Sequence, residues 1–137
     1  MKSLSIVSII AVLLSAGCSN SCENPIGVRV AYKLHIQNNS SNLIFYQISK
    51  IYPDTSIRDS LVTGGILPSK QQPYESRKTW PKFFEALPTD TLSVFFFSPD
   101  TVRKYGWKQV QSKYLVLKRK DISLKDLESN DYLVTYP

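Results

Sequence analysis

The segment that most constrains the fold is residues 92–97, with the sequence Leu-Ser-Val-Phe-Phe-Phe. Every position except Ser93 is apolar, so as a β-strand this segment would direct hydrophobic side chains to both faces of a sheet. Such a strand is central in its sheet and is covered on both sides. The rest of the chain must therefore supply a layer of structure for each face.

Two earlier segments are predicted to form a β-hairpin. Residues 28–37 alternate between apolar and polar side chains, which is typical of a half-buried strand with one face in water. Residues 43–52 are rich in Ile, Phe and Tyr and indicate a second strand. The residues between them, 38–42, are all Asn or Ser, which favour turns. We therefore expect an antiparallel hairpin with a five-residue loop.

The remaining strands are predicted to be short. Residues 114–119 and 132–136 each indicate one strand. Residues 66–68 favour at most an edge strand, because Pro68 lacks the N–H group that a central strand would donate. Residues 71–78 are polar, and we expect a loop there.

Three short helices are predicted, each preceded by a hydroxyl side chain that can cap the free N–H groups of the first turn. They cover residues 79–87, 98–105 and 124–129, with Thr79, Ser98 and Ser123 as capping residues and Asp126 completing a capping box. Helices this short do not make parallel crossovers, so the sheets should be mainly antiparallel. The predicted fold is a β-rich α+β domain, with a mainly antiparallel sheet or small sandwich and two or three short helices.

The N-terminus has the features of an export signal. Lys2 is followed by an apolar run at residues 4–14, too short to span a bilayer, and then by Ser15-Ala16-Gly17-Cys18. These four residues resemble a bacterial lipobox, although Ser15 stands where that pattern prefers leucine. The resemblance implies that Cys18 is diacylated and becomes the mature N-terminus. The alternative is ordinary secretion, with Cys18 and Cys22 left as thiols or joined in a small disulfide loop.

This interpretation divides the chain into three parts. Residues 1–17 would be a lipoprotein signal peptide, residues 18–27 a flexible tether interrupted by Pro25 and Gly27, and residues 28–137 a single globular domain. Removal of residues 1–17 from the 137-residue chain leaves 120 residues, enough for a hydrophobic core without disulfides. The expected location is the cell envelope, with a lipid anchor in the outer membrane. The sequence does not decide between the periplasmic face and the cell surface.

The positive charge of the chain is unevenly distributed. The formal net charge is +6, and residues 101–120 contain seven basic side chains and no acidic one. For an exported protein this balance argues against a nucleic-acid partner and leaves an anionic membrane surface or an acidic glycan. The simpler interpretation, which we favour, is a solvated helix face and strand edge.

The sequence holds few of the residues that catalysis or metal binding requires. His35 is the only histidine, so a Ser-His-Asp triad could form only around it, and no Gly-x-Ser-x-Gly motif is present. One histidine and two cysteines do not suffice for a closed zinc site. We therefore expect no cofactor and no metal. Paired carboxylates of the glycosidase type need no local motif, so the sequence does not exclude a site of this type.

Aromatic residues make up 12% of the chain. Trp80 and Trp107 lie near lysines and could stack on a sugar or a peptide, but the interpretation we favour is that they fill the faces of the sheets. Three Asp-hydroxyl-aliphatic triplets resemble the short O-glycosylation signal of exported proteins in Bacteroidota. They would modify Ser60, Thr91 and Thr101.

Residues 95–97, 117–127 and 134–137, together with Pro53-Asp54-Thr55-Ser56 and the early Asn-Asn-Ser, resemble a group of small lipoproteins from Bacteroides-type gut bacteria. The resemblance implies an envelope location and a compact domain, and it brings no assigned activity. The function we expect is that of a non-enzymatic binding or accessory module, with a protein or glycan partner of unknown identity. The alternatives are a small hydrolase of envelope polymers and a membrane-anchored immunity or inhibitor protein.

Overall fold

The computed structural model describes residues 31–57 and 64–137. These residues form seven strands and four helices. In chain order they are β1 (Tyr32–Asn38), β2 (Ile44–Ser49), β3 (Gly64–Ile66), β4 (Gln71–Ser76), α1 (Trp80–Glu85), β5 (Thr91–Phe97), α2 (Pro99–Tyr105), α3 (Trp107–Ser112), β6 (Lys118–Ser123), α4 (Leu124–Ser129) and β7 (Leu133–Tyr136). The predicted signal peptide, the predicted tether and residues 28–30 lie outside the described residues.

The strands form two sheets, one in the order β4-β1-β7 and the other in the order β3-β2-β5-β6. All neighbouring strands are antiparallel except β1 and β7, which are parallel. That pair joins strands distant in the sequence, so no short crossover helix is needed. The prediction of a β-rich α+β fold with mainly antiparallel sheets is confirmed.

The main core lies between the two sheets. Leu34 and Ile36 of β1 pack against Ile44 of β2 and against Val94 and Phe96 of β5, and all five are at most 1% exposed. Alternate residues of a strand point to opposite faces, so the polar residues next to Leu34 and Ile36 along β1 lie on the outer face of the sheet. The predicted half-buried strand with one wet face is therefore confirmed for β1.

The second face of β5 is covered by α2, α3 and the segment that follows them. Phe95 and Phe97 are fully buried there with Val110 of α3, and the Trp107 ring lies 5.1 Å from that of Phe97. In its sheet β5 lies between β2 and β6. The prediction that residues 92–97 form a central strand covered on both faces is confirmed.

The predicted hairpin of the first two strands is wrong. Both strands exist, but β1 and β2 belong to different sheets and pack face to face. The turn between them is fixed by Asn38, whose buried side-chain amide donates to the carbonyls of Asn42 (2.7 Å) and Ile66 (3.0 Å). Hydrophobic alternation places a strand face against the core, but it does not say whether the partner strand lies beside it or across from it.

The prediction of a loop at residues 71–78 is also wrong, since β4 occupies most of this segment as an edge strand of the first sheet. The backbone N–H of His35 donates to the Tyr132 carbonyl, on the side of β7. Backbone N–H and C=O groups alternate in direction along a strand, so those of Leu34 and Ile36 point to β4. Pro73 lies opposite His35, and its missing N–H group therefore belongs to the free edge. An edge strand tolerates proline at this position. The polar composition of β4 resembles that of a loop.

The strand predicted at residues 114–119 begins later, because β6 spans Lys118–Ser123. Leu115 and Val116 instead pack on the cluster beneath α2 and α3. The predicted helices are confirmed, with α3 as an additional short helix after Gly106. The short strand predicted at 66–68 is present two residues earlier as β3, before Pro68.

At the start of α4 the predicted capping box is confirmed. The Ser123 hydroxyl accepts from the Asp126 N–H at 3.2 Å, and the Asp126 carboxylate accepts from the Ser123 N–H at 2.9 Å. Ser123→Ala is expected to lower the free energy of unfolding by about 1 kcal/mol, because it leaves a first-turn N–H without its acceptor. Urea unfolding measures the change. Ser129→Ala, at the other end of α4, is the control and should cost less.

The same box makes stability depend on pH. The hydrogen bonds from Ser123 hold the pKa of Asp126 below its usual range. A carboxyl group with a depressed folded-state pKa stabilises the fold above its ordinary pKa, and this stabilisation is lost as pH falls through the folded value. The stability difference between the native chain and Asp126→Asn should therefore shrink as the solution is acidified through the carboxyl range. An unchanged difference in urea titrations across that range would refute this.

Candidate functional site

The most distinctive cavity of the described residues has an aromatic floor and a cationic rim, and we call it the Lys50 pocket. Its volume is about 280 Å³. It is lined by Lys50, Tyr74, Glu75, Ser76, Arg77, Lys78, Phe83, Ala86 and Leu87. These residues come from the end of β2, the end of β4 and α1, which meet at one end of the sandwich.

Local hydrogen bonds hold the rim in place. The Ser76 hydroxyl donates to the Lys78 carbonyl at 2.8 Å and accepts from the Lys78 N–H at 3.1 Å. This turn ends β4 and brings Arg77 and Lys78 beside the pocket. Ser76 is 7% exposed, whereas Arg77 and Lys78 are exposed. The backbone of the rim is therefore anchored while its two cationic side chains face solvent.

The floor is formed by α1 and β4. The Phe83 and Tyr74 rings meet edge to face with centroids 6.5 Å apart, and Phe83 belongs to the main core. The Lys50 ammonium lies 4.9 Å from the centroid of Phe83 and 6.0 Å from that of Tyr74. Both distances are within the range of cation–π attraction. Lys50 is thereby drawn over the aromatic floor.

The rim has an excess of positive charge. Three cations line the pocket with one acid, Glu75, whose carboxylate lies 3.5 Å from the Lys33 ammonium. Within the described ranges, none of the three ion pairs includes Lys50, Arg77 or Lys78. The pocket therefore combines an apolar surface with unneutralised cations, and it can attract an anion attached to an apolar or ring-shaped body.

The segments that build this pocket gave no sequence signal for it. Its residues are distributed between positions 50 and 87, and residues 71–78 were predicted as a loop with no role. The one indication in the sequence is that the helix predicted at 79–87 includes the apolar residues Phe83 and Leu87. Assembly of the pocket depends on how β2, β4 and α1 are arranged, and no local pattern encodes this.

A second cavity, of about 180 Å³, lies between the edge strands β6 and β7. Lys120 lines it, and its ammonium donates to the Thr135 hydroxyl at 3.3 Å. Burial, and then the neighbouring charge of Lys118, lower the pKa of Lys120. A lysine that points inward from an edge strand discourages pairing with another chain, and this accounts for its position.

The basic residues of the 101–120 run lie on two kinds of element. Four of them, Arg103, Lys104, Lys108 and Lys113, lie on or next to α2 and α3, and three, Lys118, Arg119 and Lys120, lie on β6. Arg103 pairs with Asp100 at 3.1 Å and Arg119 with Asp121 at 2.6 Å. The run thus consists of a helix face and a strand edge, and the two meet where Arg119 donates to the Tyr114 hydroxyl at 3.4 Å.

His35 lies on the outer face of the β4-β1-β7 sheet. Its cross-strand neighbours are Pro73 and Leu133, and its Nδ1 atom is buried without a hydrogen-bond partner among the described residues. Neither neighbour can serve as a nucleophile or as an orienting acid. Glu75, the acid two pairs further along β4, is engaged with Lys33. This surrounding gives no support to a triad built on His35.

The carboxylates that border cavities do not face each other. Four cavities of the described residues are each lined by one acid: Asp126, Asp100, Glu75 and Asp54. Asp126 caps α4, Asp100 pairs with Arg103, and Asp54 accepts from the Ser56 N–H. No group of three potential metal ligands occurs within residues 31–57 and 64–137.

The modification sites predicted from the sequence are not brought together. Cys18 and Ser60 lie outside the described residues. Thr91 is the first residue of β5, a seven-residue strand that is ~20 Å long. Thr101 lies in α2, which follows the other end of that strand. Both threonines are half-buried.

The two tryptophans belong to the hydrophobic clusters. Trp80 is 4% exposed in the main core, where its ring contacts those of Phe83 and Tyr132. Trp107 packs on Phe97 beneath α3. The interpretation that these rings fill the faces of the sheets is confirmed.

In the described residues no helix is both long enough and apolar enough to cross a bilayer. Comparisons with protein-family models, with curated proteins and with solved structures found no significant match. The Lys50 pocket is therefore assigned on the geometry and chemistry of this chain.

Proposed function

We propose that this chain is a bacterial envelope lipoprotein, held in the outer membrane by a diacylated Cys18, and that it acts as a non-enzymatic binding or accessory module. The observation that carries the proposal is the apolar run at 4–14 followed by Ser15-Ala16-Gly17-Cys18. Two or more acyl chains give stable attachment, whereas a single chain binds a membrane only reversibly.

The Lys50 pocket supports a binding role. Its rim offers two ammonium groups and one guanidinium, which bind anions without needing a shifted pKa or a nucleophile. A hydrolase of envelope polymers would need two facing carboxylates, and each of the four described cavities has one, already engaged in a hydrogen bond or ion pair. The site chemistry thus favours recognition over bond cleavage.

Membrane fractionation tests the proposal. After cell lysis the protein should sediment with the outer membrane and remain there through washes in high salt and alkaline carbonate, because acyl chains resist both. Extracted protein should release no soluble sugar from purified peptidoglycan. Release of the protein by either wash would contradict the anchor, and sugar release would contradict the non-enzymatic role.

A further inference from the structure

We propose that the Lys50 pocket binds the phosphate headgroup of an anionic phospholipid in the membrane that carries the protein. This inference rests on the proposed lipid anchor and names a ligand for the proposed binding module. The ligand class is a phosphodiester with net negative charge, joined to a glycerol and two acyl chains.

The charges of the rim fit such a headgroup. Lys50, Arg77 and Lys78 come from two different strand ends and converge on one cavity, and no described ion pair neutralises them. The guanidinium of arginine can donate two parallel hydrogen bonds to a phosphate, and a lysine acts as a mobile point charge beside it. A zwitterionic headgroup would bring its own cation close to this rim, and the repulsion between them would offset part of the attraction of its phosphate.

The floor of the pocket distinguishes a lipid from a free anion. Tyr74 and Leu87 are half-buried and Phe83 is 8% exposed, so part of their apolar surface reaches the cavity below the cations. Inorganic phosphate could reach the rim, but it would leave this surface in contact with water. The glycerol and first methylene groups of a lipid would cover it and gain the hydrophobic contribution of the buried area. The volume of about 280 Å³ lies just below the range of ordinary small-ligand sites, roughly 300–1,000 Å³, and suits one headgroup.

The pocket lies at the end of the sandwich where the described part of the chain begins. In β1 the first residue, Tyr32, lies directly opposite Ser76, the residue that fixes the turn carrying Arg77 and Lys78. The chain from Cys18 therefore enters the domain at the pocket end of the sandwich. The twelve residues from 19 to 30 span at most ~40 Å when extended. In the proposed lipoprotein, a tether of this length would join the anchored Cys18 to the pocket end of the domain, so the pocket can reach the surface of the bilayer.

Native mass spectrometry of the full mature protein, extracted in detergent, tests the inference. The probes are phosphatidylglycerol and phosphatidylcholine with identical acyl chains. We expect the native protein to retain phosphatidylglycerol about tenfold more than phosphatidylcholine, and Lys50→Gln/Arg77→Gln/Lys78→Gln to lose this preference. The control variant, Lys104→Gln/Lys108→Gln/Lys113→Gln on α2 and α3, removes the same charge and should keep the preference. All six positions are exposed, and urea unfolding verifies that both variants fold.

Several outcomes would overturn the inference. An equal loss of preference in both variants would show general electrostatic attraction, and displacement of the lipid by inorganic phosphate would show a simple anion site. Binding of an acidic oligosaccharide, such as oligogalacturonate, without any preference between the lipids would assign the pocket to a glycan. The same spectra report the mass on Cys18. Lipid preference in an unacylated chain would contradict the anchor and support lipid binding by the pocket. An acylated chain without lipid preference would support the anchor and contradict lipid binding by the pocket.

Discussion

Replacing Phe96 with alanine is expected to destabilise the domain by about 3–5 kcal/mol. Phe96 is fully buried between the two sheets, in the strand that lies between β2 and β6, and its ring lies 5.0 Å from that of Tyr136 in β7. Truncation removes the contact between the sheets and leaves a cavity that the two rigid layers cannot close. Urea unfolding of the purified protein measures the loss.

The matched control is Tyr105→Ala, which also truncates an aromatic side chain. Tyr105 lies at the end of α2, is 39% exposed and contacts the Lys104 ammonium at 5.0 Å. Its loss should cost less than about 1 kcal/mol, as is typical of exposed positions. Equal costs for the two variants would mean that β5 is not the centre of the core.

The second large effect is expected from Cys18→Ala. Without the thiol no diacylglycerol can be attached, so the signal peptide should stay uncleaved and the 137-residue precursor should accumulate in place of the 120-residue mature chain, which is 137 minus 17. Incorporation of labelled palmitate should fall to background. Gel mobility and the label measure both effects.

Cys22→Ala serves as the control for this variant, because it removes the other cysteine four residues away. It should be processed and labelled like the native chain. Normal processing of Cys18→Ala, with the protein still in the membrane fraction, would contradict the lipobox. Failure of both variants would point to the alternative in which the two cysteines act together.

The parts of the fold that could be predicted from sequence are those set by local chemistry. Residues 92–97 are apolar on both faces, and this required a central strand with two covering layers. Ser123 and Asp126 have the spacing of a capping box and form one. In both cases the determining contacts lie within a few residues of the chain or follow from the period of a strand.

The errors concern which strands are neighbours. The segment from 38 to 42 has the composition of a hairpin loop, but the Asn38 side chain bonds to the Ile66 carbonyl, 28 residues away. This distant contact turns the chain from one sheet to the other. Edge strand β4 was missed because it buries little besides Tyr74 and Ser76, so its sequence shows no alternation.

The candidate site was even less accessible to sequence reasoning. Arg77 and Lys78 are ordinary surface residues in the sequence, and Lys50 precedes them by 27 positions. They form a rim because β2 and β4 end at the same side of the sandwich, over the Phe83 ring. The longest basic run, at 101–120, attracts more attention in the sequence, but its residues lie on or next to α2, α3 and β6, and none of them lines the Lys50 pocket.

The intact mass of the protein extracted from membranes tests the central claim most directly. The account predicts a chain that begins at Cys18, with the mass of residues 18–137 increased by a diacylglyceryl group and its N-terminal modification. Additional hexose-sized increments would fit glycosylation at Ser60, Thr91 or Thr101, and their absence would remove that proposal. A mass equal to an unmodified polypeptide, whether cleaved elsewhere or still carrying residues 1–17, would contradict the lipid anchor.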